Sequence, residues 1–209
     1  MDGKGLTATS STRAQGLTAT SSTCAQGLTA TSSVNENAPM QKFAPLEKPQ
    51  ELPPDPPSEI DVESGRLFLG GVDGVGRDVA LKVIGNIDFI LSIGCQFRDP
   101  PKTTEVVFTG LFGDNHNSEY EITRCIDTYL ESIDEHLNKG HTVFVHCAMG
   151  ISRSATIVIA YFMKKFASSW NCKNGTELYK KAFQFVRLKR DIMSKFGSVL
   201  IQFGDEMLA

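Results

Sequence analysis

His146-Cys147-Ala148-Met149-Gly150-Ile151-Ser152-Arg153-Ser154 is the stretch that decides how this chain is read. It runs histidine, cysteine, five residues, arginine, serine. Val143-Phe144-Val145 before it has the unbroken apolar character of a buried strand. Ile157-Val158-Ile159-Ala160-Tyr161-Phe162 after it is apolar nearly all round, as a central helix is. A buried strand turning sharply into a buried helix belongs to an α/β fold. The turn then lies at the carboxyl end of a strand, where such sheets place their ligands.

The composition of the turn points to phosphate chemistry. A short loop bent so that successive N–H groups face inward is an anion nest, and the helix behind it adds the positive end of its dipole. Gly150 permits mid-loop backbone angles that a side chain forbids. Arg153 can grip two phosphate oxygens with its planar fork. Thiols beside helix N-termini and cations ionise at roughly pH 3.5–7.5, against ~8.5 for a free thiol. Cys147 is therefore expected to act as a thiolate nucleophile, and Ser154 to donate a hydrogen bond that eases the sulfur's departure. The phosphate is expected on Ala148, Met149, Gly150, Ile151, Ser152 and Arg153. A merely structural cysteine needs no Gly, Arg and Ser at these offsets.

A phosphoester oxygen leaves poorly unless protonated, so a carboxylic acid should face the nest, then act as base on water. Asp114 is the expected group, in a Gly113-Asp114-Asn115 turn after the apolar runs Val106-Val107-Phe108 and Leu111-Phe112. Glu119 and Glu121 are alternatives, better read as the opening of the next helix.

The nine-residue stretch resembles the signature loop of the protein tyrosine phosphatase superfamily. Its context resembles the dual-specificity phosphatase branch, from about Gly65 to Phe203, with no docking domain evident. The matching pieces are Arg66-Leu67-Phe68-Leu69-Gly70, Ile87-Asp88-Phe89-Ile90-Leu91-Ser92, Asp114-Asn115-His116 and Ala160-Tyr161-Phe162-Met163. The resemblance implies a central, mainly parallel sheet flanked by helices and places the general acid at Asp114. It also implies hydrolysis of phosphotyrosine and of phosphoserine or phosphothreonine through a phospho-cysteine, with no cofactor and no metal. The uncharged variable positions Ala148, Met149, Ile151 and Ser152 favour a single phosphate on a protein side chain. Superfamily members that act on inositol lipids often carry lysines there, and RNA-triphosphatase relatives place Asn before the Arg. The rival readings are a phosphatase of a phosphoinositide or RNA, and a phospho-binding module with little activity. Some superfamily members also trap the oxidised nucleophile with a cysteine where Cys95 stands, which makes Cys95 a candidate redox partner.

Two departures from the family pattern stand out. Ser194-Lys195-Phe196-Gly197 replaces a Pro-Asn-x-Gly turn whose Asn braces the signature loop. Residues 167–176, with Trp170 and Cys172, read as an insertion. The basic run Arg187-Leu188-Lys189-Arg190 reads as a solvated helix face, with docking of an acidic partner as the alternative.

Elsewhere the pattern alternates strands (66–70, 87–93, 105–112, 141–146) with helices (77–84, around Ile122 to Leu137, 154–166, 177–188, 196–208). Ile122, Ile126, Leu130, Ile133 and Leu137 form one apolar helix stripe. The N-terminal part differs: Gly5-Leu6-Thr7-Ala8-Thr9-Ser10-Ser11-Thr12 recurs from Gly16 and Gly27, and prolines crowd 45–57. Such composition cannot bury enough surface to offset ordering entropy, so 1–58 is expected to be a disordered tail and linker before a catalytic domain at 59–209. A net charge of −3 gives no electrostatic case for nucleic acid or anionic membrane. The 5 cysteines show no metal-binding spacing and fit a reducing compartment. With no signal segment or membrane-length apolar run, a monomer in the cytoplasm or nucleus is expected, its partners phosphorylated proteins.

Overall fold

The computed structural model describes residues 55–72, 76–115, 118–193 and 195–209, all within one compact unit. The expected tail therefore lies outside the described residues except for 55–58, and Ser194 lies outside them too.

Five strands form the sheet: β1 (Ser58–Ile60), β2 (Arg66–Gly71), β3 (Phe89–Gly94), β4 (Glu105–Leu111) and β5 (Thr142–Cys147). Their spatial order is β1-β2-β5-β3-β4. All pairings are parallel except that of β1 with β2, where Ser58 sits opposite Leu69. Sequence periodicity misses β1, because three residues next to a proline run carry no alternation to detect. Five helices complete the domain: α1 (Gly76–Ile84), α2 (Glu119–Asn138), α3 (Arg153–Phe166), α4 (Gly175–Arg187) and α5 (Gly197–Leu208). The expected elements are present, their ends moved by one to three residues.

Strand alternation sorts the apolar side chains into two layers. Leu67, Leu69, Phe89, Leu91, Val143 and Val145 pack with the stripe of α2 and with α3 and α4. Phe68, Ile90 and Phe144 face the other way, against Ala80 and Ile84 of α1. α3 is buried from Ser154 to Met163, which explains its apolar character on every side. β5 is the central strand, and α3 the helix packed most completely around. The one turn that joins them is therefore held by the best-buried elements of the protein.

Residues 167–176, expected to be an insertion, fold back onto the end of α3. Trp170 stacks on Phe166 with centroids 4.9 Å apart, and its carbonyl accepts from Lys181 Nζ at 2.7 Å. Asn174 then caps α4 by accepting from the Glu177 N–H at 2.9 Å. The basic run is solvated at Arg187, Leu188 and Lys189, as expected, but not at Arg190. α4 stops at Arg187, and Arg190 is buried beneath the β5–α3 turn.

Candidate active site

Cys147 is the last residue of β5, and Arg153 the first of α3. Between them the backbone reverses, with Gly150 at φ 72°. A Cβ on Gly150 would overlap the Gly70 and Gly71 backbone, and one on Gly71 would press on Met149. Gly71 and Gly150 thus let strand end and loop lie in backbone contact, which a side chain at either position would prevent.

That contact begins a pattern covering the whole loop. Val72 N–H donates to Cys147 O at 3.2 Å and to Ala148 O at 2.9 Å. Arg190 donates Nε–H to Gly150 O at 2.7 Å and Nη2–H to Met149 O at 3.3 Å. Met193 N–H donates to Ile151 O at 2.8 Å, and Thr156 N–H to Ser152 O at 2.8 Å. Every carbonyl from Cys147 to Ser152 is therefore taken from the loop's rear. In a planar trans peptide the N–H points opposite to the C=O of the same unit. The N–H groups of Ala148, Met149, Gly150, Ile151, Ser152 and Arg153 are consequently turned to the front. One has a visible target: Gly150 N–H lies 3.2 Å from Cys147 Sγ. Ser154 Oγ reaches the same sulfur at 3.2 Å. Two donors on one thiol sulfur, with a helix N-terminus behind, suit an anion there.

Arg153 and Asp114 meet across the loop. Arg153 Nε lies 2.8 Å from Asp114 Oδ1, and Nη1 donates to Phe112 O at 2.7 Å. The close pair is an ion pair by distance only, because its atoms are out of line for a hydrogen bond. Lys195 Nζ stands 3.6 Å from Asp114 Oδ2. Asp114, Asn115, Glu119, Lys195 and Phe196 line a cleft of about 390 Å³ beside the loop. Glu121 belongs with Glu119 to the first turn of α2, as expected. Met149 projects outward, 65% exposed.

A strand-end cysteine, a loop with its carbonyls held outward, and an arginine opening the next helix agree with the family comparison. The model of the dual specificity phosphatase catalytic domain matches residues 68–205. The chain belongs to the dual specificity phosphatase family. Dual specificity protein phosphatase 1 of Arabidopsis thaliana is 33% identical over 146 residues, covering 69% of this chain and 66% of that protein. The Homo sapiens dual specificity protein phosphatase 1 is 39% identical over 99 residues, 46% of this chain. This chain spans only 24% of that protein's length. Among solved structures, the human tyrosine phosphatase-like serine/threonine/tyrosine-interacting protein superposes with a TM-score of 0.56 at 28% identity. It covers 74% of this chain and 99% of its own. Human DUSP28 has the same fold, with a TM-score of 0.56 at 22% identity over 75% of this chain and 99% of its own.

Within this dual specificity phosphatase domain, the residues singled out from sequence (Cys147, Gly150, Arg153, Ser154 and Asp114) come together. Cys95 Sγ lies 3.7 Å from the Nδ1 of His146, the residue before Cys147. The residues that hold the loop's rear, Val72, Arg190 and Met193, were not legible. Only the Gly70-Gly71 pair hinted at a close backbone approach. Lys195, expected to stand where the family has a bracing Asn, reaches Asp114. Among the described residues, the bracing of the loop's rear falls to Val72, Arg190, Met193 and Thr156. No helix among the described residues is long and apolar enough to cross a membrane.

His146 is fully buried under the loop between Phe144 and Phe97, with Nε2 2.7 Å from Ser92 Oγ. Burial pushes its pKa down to about 4, so the ring is neutral at physiological pH. Below about pH 6.5 the unfolded chain takes up a proton that the folded ring refuses until about pH 4. Stability is therefore lost as the pH falls through that window, by roughly 3 kcal/mol from this group. Urea unfolding at pH 7 and pH 4.5 should show wild type losing roughly 2–3 kcal/mol more than His146→Gln over the same interval. Equal losses would contradict the account.

Proposed function

We propose that this chain is a protein phosphatase that hydrolyses phosphotyrosine and phosphoserine or phosphothreonine through a phospho-cysteine. The observation that carries the reading is the run of six front-facing N–H groups around Cys147 Sγ, deduced from the outward hold on the loop carbonyls. Three non-bridging phosphate oxygens would take these donors, with the Arg153 fork closing over two of them.

The Cys147 thiolate attacks phosphorus while the bond to the leaving oxygen breaks, and Asp114 gives that oxygen its proton. Water then attacks phosphorus, Asp114 takes its proton, and the sulfur leaves as a thiolate stabilised by Ser154 and the Gly150 N–H. In the resting protein Asp114 sits on Arg153. An entering dianion competes for the guanidinium, which frees the carboxyl to meet the leaving oxygen.

The cleft beside the loop supports a singly phosphorylated side chain as substrate. Its walls include the carboxylates of Asp114 and Glu119 against the ammonium of Lys195, and these repel a polyanionic headgroup. The phosphoproteins such an enzyme acts on would be met in the cytoplasm or nucleus. A phospho-binding role is the second reading, since one structural neighbour is itself described as phosphatase-like and as an interacting protein.

Turnover separates the readings. Cys147→Ser should hydrolyse nothing, and Asp114→Asn should slow phosphotyrosine peptides by about a hundredfold. An aryl phosphate with a good leaving group should lose far less. Wild type inert on phosphotyrosine and phosphothreonine peptides, or faster on phosphoinositides, would overturn the proposal.

Cys95 is proposed as a guard of the nucleophile. Peroxide would convert the Cys147 thiolate to a sulfenic acid, and the Cys95 thiol would displace its oxygen as water to form a disulfide. Peptide mapping without reductant after peroxide treatment should recover a Cys95–Cys147 pair. Over-oxidised Cys147 with no such pair would refute the guard.

A further inference from the structure

Phosphate transfer as proposed does not account for the arginine behind the loop. Arg190 is 4% exposed, and all three guanidinium nitrogens are engaged. Besides Gly150 O and Met149 O, it donates Nη1–H to Pro56 O at 2.8 Å and to Ser58 Oγ at 3.3 Å. Asp55 Oδ2 stands 3.1 Å from Nη2. Withdrawing a cation this far from water is costly, and an aliphatic side chain would fill the space without that cost. Packing therefore does not explain the residue; the carbonyls it holds do.

Two peptide units depend on it. Fixing Met149 O aims the Gly150 N–H at Cys147 Sγ, and fixing Gly150 O turns the Ile151 N–H the same way. Without the guanidinium, both carbonyls would be buried acceptors with no donor, and rotation of either unit would withdraw an N–H from the nest. A cation behind the carbonyls also polarises these units, leaving their N–H ends more positive toward the front. Arg190 is in turn held by residues 55–58, and Ser58 is pinned by its pairing with Leu69 on β2.

We propose that Arg190 is a positioning residue that sets the phosphate affinity of the signature loop, and that residues 55–58 are the brace that keeps it in place. The inference rests on reading the loop as a phosphate site. It makes the segment just after the Ser/Thr-rich N-terminal part a functional component of the catalytic domain.

The test uses the full chain carrying Cys147→Ser, so that binding is read without turnover. Inorganic phosphate is titrated and followed at the Gly150 and Ile151 amides by NMR. Adding Arg190→Met should weaken phosphate binding by about ten- to hundredfold and accelerate hydrogen exchange at these two amides, while the core amides stay protected. Arg190→Lys, which keeps the charge but not the fork, should fall between. Unchanged affinity and exchange in Arg190→Met would overturn the proposal. If that variant does not fold, Arg190→Lys decides alone: a loss of about fivefold supports the role and parental affinity refutes it. Asp55→Ala with Ser58→Ala should loosen binding by about two- to fivefold, and no change would overturn the brace. Failure of the proposed function shows separately, as an intact chain that hydrolyses nothing; the amide exchange still reads Arg190.

Discussion

The constraint on which the rest depends is that six consecutive carbonyls, from Cys147 to Ser152, are all bonded on the side away from the Cys147 sulfur. A backbone N–H is a weak donor on its own, and free loops do not keep several of them convergent. Peptide planarity turns an outward grip on oxygen into an inward aim of hydrogen. The fold supplies that grip from three directions: the end of β2 through Val72, the segment after α4 through Arg190 and Met193, and the first turn of α3 through Thr156. Sheet order has the same logic. β5 is flanked by β2 and β3, so its carboxyl end is surrounded by structure that can reach the turn.

This arrangement spends stability where it builds the site. Gly71 and Gly150 contribute no side-chain packing, yet they allow the close backbone contact that the loop requires. His146 is buried without charge, which penalises folding below neutral pH. Arg190 is a buried cation paired with a carboxylate at the domain's edge. The Arg153–Asp114 ion pair holds the guanidinium and the carboxylate together beside the loop. Large apolar layers on both faces of the sheet offset these costs. A preorganised, polar turn at the hub of a well-packed core is the result.

Much of this was legible in the chain itself. The unbroken apolar run of β5, the i, i+4 stripe of α2 and the all-round apolarity of α3 each follow from burial, so periodicity exposed them. Cys147, Gly150, Arg153 and Ser154 were readable because the chemistry constrains neighbours in sequence. What escaped reading connects residues far apart. Arg190 lies 40 residues from Gly150 and 134 from Pro56, and within its basic run nothing distinguishes it from the solvated Arg187 and Lys189. β1 is three residues long, too short for its side chains to show a periodicity. Val72 and Met193 leave no pattern either, because their contribution is a main-chain N–H that any residue but proline would supply.

The central claim is that the sulfur of Cys147 forms a bond to phosphorus at the floor of this nest. Rapid acid quenching of the full chain with Asp114→Asn, mixed with a ³²P-labelled aryl phosphate of good leaving group, tests it directly. The account predicts acid-stable label that accumulates as the aryl alcohol is released and maps to the peptide containing Cys147. Release of the alcohol with no label on the protein, or with label on any other residue, would contradict it.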